Sequence, residues 1–141
     1  MAAGRGHAEA IAAGAALPPR AVLLHVGKGE LREALEARAA QLGGGARNFW
    51  AGYEEDGLPE LYRAMDVFLF TASGSEQGQR AILEAMASGV PVVALDLPGV
   101  ADLLTHEREG LMVQRPGELV AALTRLLESE DERRRLGAQA R

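Results

Sequence analysis

A chain of 141 residues, 48% hydrophobic and 25% charged, is long enough for one domain with a real core and ordinary for a soluble globular protein. Fifteen Lys and Arg against twenty Asp and Glu leave a net charge of −5, which argues against nucleic acid or an anionic membrane surface as a main partner. With no cysteine there is no disulfide framework or thiolate metal site, and His7, His25 and His106 have no metal-ligand spacing.

Strand and helix patterns alternate along the chain. Residues 6–17 are Ala-rich and helical, and Pro18-Pro19 ends them. Arg5 followed by the apolar residues 10–17 has the outline of a signal-peptide core, but Glu9 interrupts it and an amphipathic helix accounts for the segment as well. The expected compartment is the cytoplasm. The apolar run at residues 21–26 reads as a buried parallel strand, closed by the loop Gly27-Lys28-Gly29. Residues 30–42 carry apolar positions at helical spacing, and Gly43-Gly44-Gly45 stops them. A second strand is expected over 47–52, a short helix over 59–65 and a third strand over 67–71.

The spacing then predicts a helix over 79–88, ended by Gly89, and a fourth strand over 91–95. Residues 85–95, the longest run without charge, contain Gly and Pro and are too short to span a bilayer. A turn at Pro98-Gly99 leads to a short helical piece over 100–104, then to a fifth strand over Gly110–Val113. An amphipathic helix over 117–128 and a charged one over 131–140 close the chain, the charges of the last reading as a solvated face. Repeated strand–helix order predicts an α/β, Rossmann-like parallel sheet with helices on both faces and right-handed crossovers.

In such a sheet ligands bind beyond the carboxyl ends of the strands. Three loops leave those ends, at Gly27, at Gly52-Tyr53 and at residues 73–78, and their glycines let backbone approach a ligand closely. The N-terminus of the helix after Gly78 is a natural seat for a diphosphate, and Arg80 adds a positive charge there. The competing reading is that Gly74 and Gly78 only shape a turn. Glu84 is the sole charge between Arg80 and Asp96, in a helix that otherwise asks to be buried. It is read either as a group that binds sugar or ribose hydroxyls or as half of an ion pair with Arg80, one turn earlier. Glu76, placed before the helix, has a ligand reading and a helix-dipole reading. Lys28 reads as a surface residue, and its loop is no Walker A sequence. His25 reads as a core or helix-facing side chain, and His106 as solvated. There is no G-x-S-x-G elbow and no basis for a Ser–His–Asp arrangement.

Several segments fall in an order that resembles one family: Leu24-His25-Val26-Gly27-Lys28-Gly29, Phe49-Trp50-Ala51-Gly52-Tyr53, Leu61-Tyr62-Arg63-Ala64-Met65-Asp66-Val67-Phe68, and the pair Glu76 and Glu84 followed by Gly89-Val90-Pro91-Val92-Val93-Ala94 and Gly110-Leu111-Met112-Val113. Together they are similar to the C-terminal, donor-binding half of retaining family-four glycosyltransferases of the GT-B fold, over nearly the whole chain. The resemblance implies that Glu84 holds the ribose hydroxyls of a nucleotide-diphosphate sugar, that Glu76 lies near the donor sugar, and that Gly78, Gln79 and Arg80 surround the diphosphate. It also implies that Gly52 and Tyr53 line the base and that Arg5 takes the place of a phosphate-neutralising Lys. It implies no metal ion and no other cofactor.

Two departures stand out. The family often has Gly-Phe-Gly after its first Glu, where this chain has Gln77-Gly78-Gln79. Measured against that resemblance, the acceptor-binding N-terminal domain and most of the first strand of the donor half, which is central in the order 3-2-1-4-5-6, are expected to be missing from these 141 residues. The expectation is therefore a truncated GT-B half-domain, inactive alone, that needs an N-terminal domain, a partner chain or a strand-mediated contact with another copy to complete it. Two other readings are a non-catalytic module that docks on a partner chain and one half of a GT-B sugar-nucleotide epimerase.

Overall fold

The computed structural model describes residues 6–27, 29–52, 55–72 and 76–141. Arg5, Lys28 and Tyr53 lie outside the described residues. The elements follow the alternating order expected: α1 (His7–Ala16), β1 (Leu23–Val26), α2 (Arg32–Gln41), β2 (Asn48–Ala51), α3 (Leu58–Ala64), β3 (Phe68–Phe70), α4 (Glu76–Ala87), β4 (Val92–Leu95), β5 (Gly110–Val113), α5 (Leu119–Glu128) and α6 (Glu130–Ala140). The short helix expected over 100–104 is a series of turns, tied by the Leu104 N–H to the Val100 carbonyl at 2.9 Å, with both side chains buried. Among the described residues no helix is long and apolar enough to cross a membrane.

Among the described residues all strand pairs are parallel, and the strands form two sheets rather than one. One is β1–β2, with Leu23 opposite Asn48; the other is β3–β4–β5, with Phe68 opposite Val92 and Val92 opposite Gly110. Among the described residues no ladder joins β1 to β3, the place that the order 3-2-1-4-5-6 gives to its first strand.

The larger sheet is covered on both faces. β4 is buried at every residue, and its side chains alternate between two cores as the pleat requires. Val93 and Leu95 join Leu111 of β5 against Leu119, Leu123 and Leu126 of α5, Leu136 of α6 and Ala13 of α1. Val92 and Ala94 meet Ile82, Ala85 and Met86 of α4, Tyr62 of α3 and Phe70 of β3. The positions 82, 85 and 86 form the apolar stripe of α4, so Glu84 falls off it.

α1 bridges the two sheets, packing on α2 and on α5. Its C-terminal carbonyls are held by one guanidinium: Arg47, just before β2, donates to Ala15, Leu17 and Pro18 at 3.0–3.1 Å. At its other end Gly6 lies against Thr71, just after β3. A Cβ on Gly6 would sit 1.8 Å from the Thr71 carbonyl oxygen, and Gly6 has a positive φ of 72°. α1 thus begins at the carboxyl end of β3 and ends at the amino end of β2. It therefore runs antiparallel to both sheets, and their strands end on the same side of the molecule.

The charged tail is more than a solvated face. Ser129 caps α6 by accepting the Glu132 N–H at 3.2 Å, and Arg133 donates to the carbonyls of Leu126 and Leu127 at the end of α5. Leu136 is fully buried. His25 is half-buried, stacked on Trp50 with ring centroids 4.0 Å apart. Its Nε2 lies 2.8 Å from Asn48 Oδ1, and Asn48 Nδ2 donates to the Gly44 carbonyl. An amide oxygen only accepts, so the imidazole carries its proton on Nε2. Burial lowers the His25 pKa, and the Asn48 hydrogen bond opposes that shift in part.

Candidate functional site

The carboxyl ends of the strands gather the glycine-bearing segments singled out in the sequence. Gly27 follows β1 and donates its N–H to the Ala51 carbonyl at 3.2 Å, and Gly52 follows β2 next to it. α4 begins shortly after β3, so its N-terminus lies at this edge together with the N-terminus of α1. Gly99, in the turn after β4, has a φ of 88° and no Cβ, and the Gln79 side chain fills that space. A Cβ at Gly99 would lie 2.2 Å from Gln79 Nε2. Gln79 is thereby placed between the ends of β3 and β4.

α4 starts three residues earlier than its apolar spacing predicts, at Glu76 rather than Gln79. Glu76 is its first residue, Gly78 lies in its first turn, and Glu84 falls in its third turn rather than its second. Gly in a helix interior is unfavourable, which is why Gly78 reads as a boundary in the sequence. The Glu76 side chain lies outside what the structure describes.

Glu84 holds two partners. Its Oε1 accepts from Arg80 Nε at 2.8 Å, and its Oε2 accepts from the Tyr62 hydroxyl at 3.0 Å. The ion-pair reading of Glu84 is therefore present in the structure. The pair is not sunk in the interior: the Glu84 side chain is 33% exposed and that of Arg80 81%. An ion pair so open to water contributes little stability. Tyr62, by contrast, is 6% exposed, with its ring in the core beside Phe68. The sequence alone assigns Tyr62 no role at the site, because only the packing of α3 on α4 brings it to Glu84.

Among the described residues no group of three His, Asp or Glu side chains could hold a metal ion. His106, in the turn before β5, is half-exposed as expected but engaged, its Nδ1 accepting the Met112 N–H at 2.9 Å.

Parallel sheets flanked by helices, with paired helix N-termini and glycine loops at the strand ends, define a Rossmann-like domain of the kind found in GT-B glycosyltransferases. The model of the glycosyl transferases group 1 family matches residues 3–141, and the chain belongs to that family. It is 31% identical over 128 residues to the sulfoquinovosyl transferase of Arabidopsis thaliana, covering 87% of this chain and 24% of that protein. It is 42% identical over 87 residues to a GDP-mannose-dependent alpha-mannosyltransferase of Mycolicibacterium smegmatis, 60% of this chain and 22% of that protein. Its fold matches Anabaena HepE, solved with UDP and glucose, with a TM-score of 0.90 at 26% identity, over 99% of this chain and 40% of that one. It also matches the C-terminal domain of a group 1 glycosyl transferase from Francisella tularensis, with a TM-score of 0.85 at 20% identity, over 99% of this chain and 77% of that one. The chain thus spans about a quarter of the curated relatives it matches.

Proposed function

We propose that this chain binds the nucleotide-diphosphate part of an activated sugar, and that the protein it represents transfers the sugar to an acceptor with retention of anomeric configuration. The observation that carries the reading is Glu84: the one carboxylate in the otherwise apolar residues 81–87 of α4, left one-third exposed and held by a buried tyrosine. In this reading Glu84 accepts the ribose hydroxyls. Each carboxylate oxygen has a second lone-pair direction beyond the bonds to Arg80 and Tyr62, so ligand hydroxyls can add to the existing contacts. The start of α4, with Gly78 and Gln79 in its first turn and Arg80 at the beginning of its second, sets the positive end of a helix dipole toward the diphosphate. Arg5 supplies a further positive charge, Gly27 lets the backbone approach the ligand, and Gly52 with Tyr53 lines the base. Glu76 and Glu84 are eight residues apart in one helix, roughly 12 Å along its axis, which leaves the diphosphate between sugar and ribose.

Likeness to HepE, solved with UDP and glucose, and to a GDP-mannose-dependent enzyme supports a nucleotide-sugar donor. Catalysis in such a site is mainly charge stabilisation and orientation, completed when an acceptor-binding domain closes over the donor. The chain alone is therefore expected to bind without efficient turnover. Titration calorimetry with UDP and with GDP tests this, the expected result being saturable binding of one molecule per chain. No binding of either nucleotide would count against the reading.

A second reading, a module that docks a strand from another chain, is favoured by the division, among the described residues, between β1–β2 and β3–β4–β5. Leu24 and Phe49, register neighbours on the smaller sheet, are also 39% and 54% exposed. Light scattering on the eluted chain separates the two: a monodisperse monomer leaves this docking no role.

A further inference from the structure

We infer that Tyr62 is a positioning residue of the donor site, acting through Glu84; the inference rests on the reading of Glu84 given above. Two side chains hold the Glu84 carboxylate, and they differ in kind. Arg80 is largely exposed and water competes for its guanidinium, so its hold on the Glu84 rotamer is weak. The Tyr62 ring is locked in the core among residues of β3 and α4, beside Phe68, and only its hydroxyl reaches the carboxylate. A phenol fixed at its ring end delivers the O–H to a set point in space. It therefore pins Oε2 and turns the plane of the carboxylate, which decides where the remaining lone pairs aim. A ligand that offers two adjacent hydroxyls needs both acceptor directions correct at once. The bond also spans α3 and α4, so the spacing of these helices is tied to the aim of Glu84.

The test compares UDP with 2′,3′-dideoxyuridine diphosphate, which lacks both ribose hydroxyls, on four chains: wild type, Tyr62→Phe, Glu84→Ala and the double variant. Tyr62→Phe keeps the ring and its packing. It is expected to weaken UDP binding about three- to tenfold, the scale of one ordinary hydrogen bond, because Glu84 itself stays in place, while the dideoxy analogue binds as before. In the Glu84→Ala background the same change is expected to have no effect. A purely structural role would weaken both nucleotides alike and would persist without Glu84. If Glu84→Ala binds UDP as tightly as wild type, the donor-site reading itself fails. If Glu84→Ala weakens UDP while Tyr62→Phe does not, or weakens both nucleotides equally, the positioning role fails and the reading of Glu84 stands.

Discussion

Thr71 donates its hydroxyl to the Gly6 carbonyl at 2.8 Å, joining residues 65 positions apart where the start of α1 meets the carboxyl end of β3. This contact fixes the helix that bridges the two sheets, at the edge where the candidate site lies. Gly6→Ala is expected to destabilise the chain by at least about 1–3 kcal/mol from the positive φ alone, with the Cβ overlap on Thr71 added. Thr71→Val is expected to cost about 1 kcal/mol for the lost hydrogen bond. Denaturant unfolding measures both, and a Gly6→Ala chain as stable as wild type would contradict this packing.

His25 predicts a dependence of stability on pH. Its pKa is lowered in the folded chain, mainly by burial, from an ordinary value of 6.5. The unfolded chain therefore takes up a proton first as pH falls. Stability is undiminished above the unfolded value of 6.5, declines as pH drops below it, and levels off beneath the lowered folded value. Unfolding midpoints measured from pH 8 to pH 5 are expected to show this decline, and His25→Gln to flatten it. An unchanged slope in that variant would place the titrating group elsewhere.

The outer edge of β5 is closed by side chains. Val113 bonds β4, so Met112 and Gln114 present their N–H groups outward. His106 Nδ1 accepts the first at 2.9 Å and Glu118 Oε2 the second, also at 2.9 Å. Glu118 also accepts the Arg115 N–H, and that bond is the largest cause of its lowered pKa. An open parallel edge invites pairing with another chain. His106→Ala and Glu118→Ala are each expected to speed hydrogen exchange at the amide they release, Met112 and Gln114 respectively, and to raise self-association at high concentration. Unchanged exchange at both amides would show that these side chains do not protect the edge.

Much of this was legible in the sequence because it rests on local pattern. The apolar spacing of Ile82, Ala85 and Met86 marks the buried stripe of α4, and the run 91–95 marks a strand buried on both faces. Glu84 stands out as the one charge in that stretch. The start of α4 was not legible, since Gly78 lies inside its first turn against its propensity. Nor were the partners that tertiary packing supplies: Tyr62 for Glu84, Gly99 for Gln79, Arg47 for the end of α1. Their separations of twenty or more residues leave no local signal. The division of the described strands into two sheets likewise depends on which edges find partners, and strand propensity does not report that.

Calorimetric titration of UDP or GDP into wild type and Glu84→Ala bears most directly on the central claim, that a single carboxylate on α4 grips the paired hydroxyls of a nucleotide. Removing it is expected to weaken binding by about 1.5–3 kcal/mol, the scale of hydrogen bonds to a charged group, with the fold intact by circular dichroism. Equal affinity in the two chains would contradict the account.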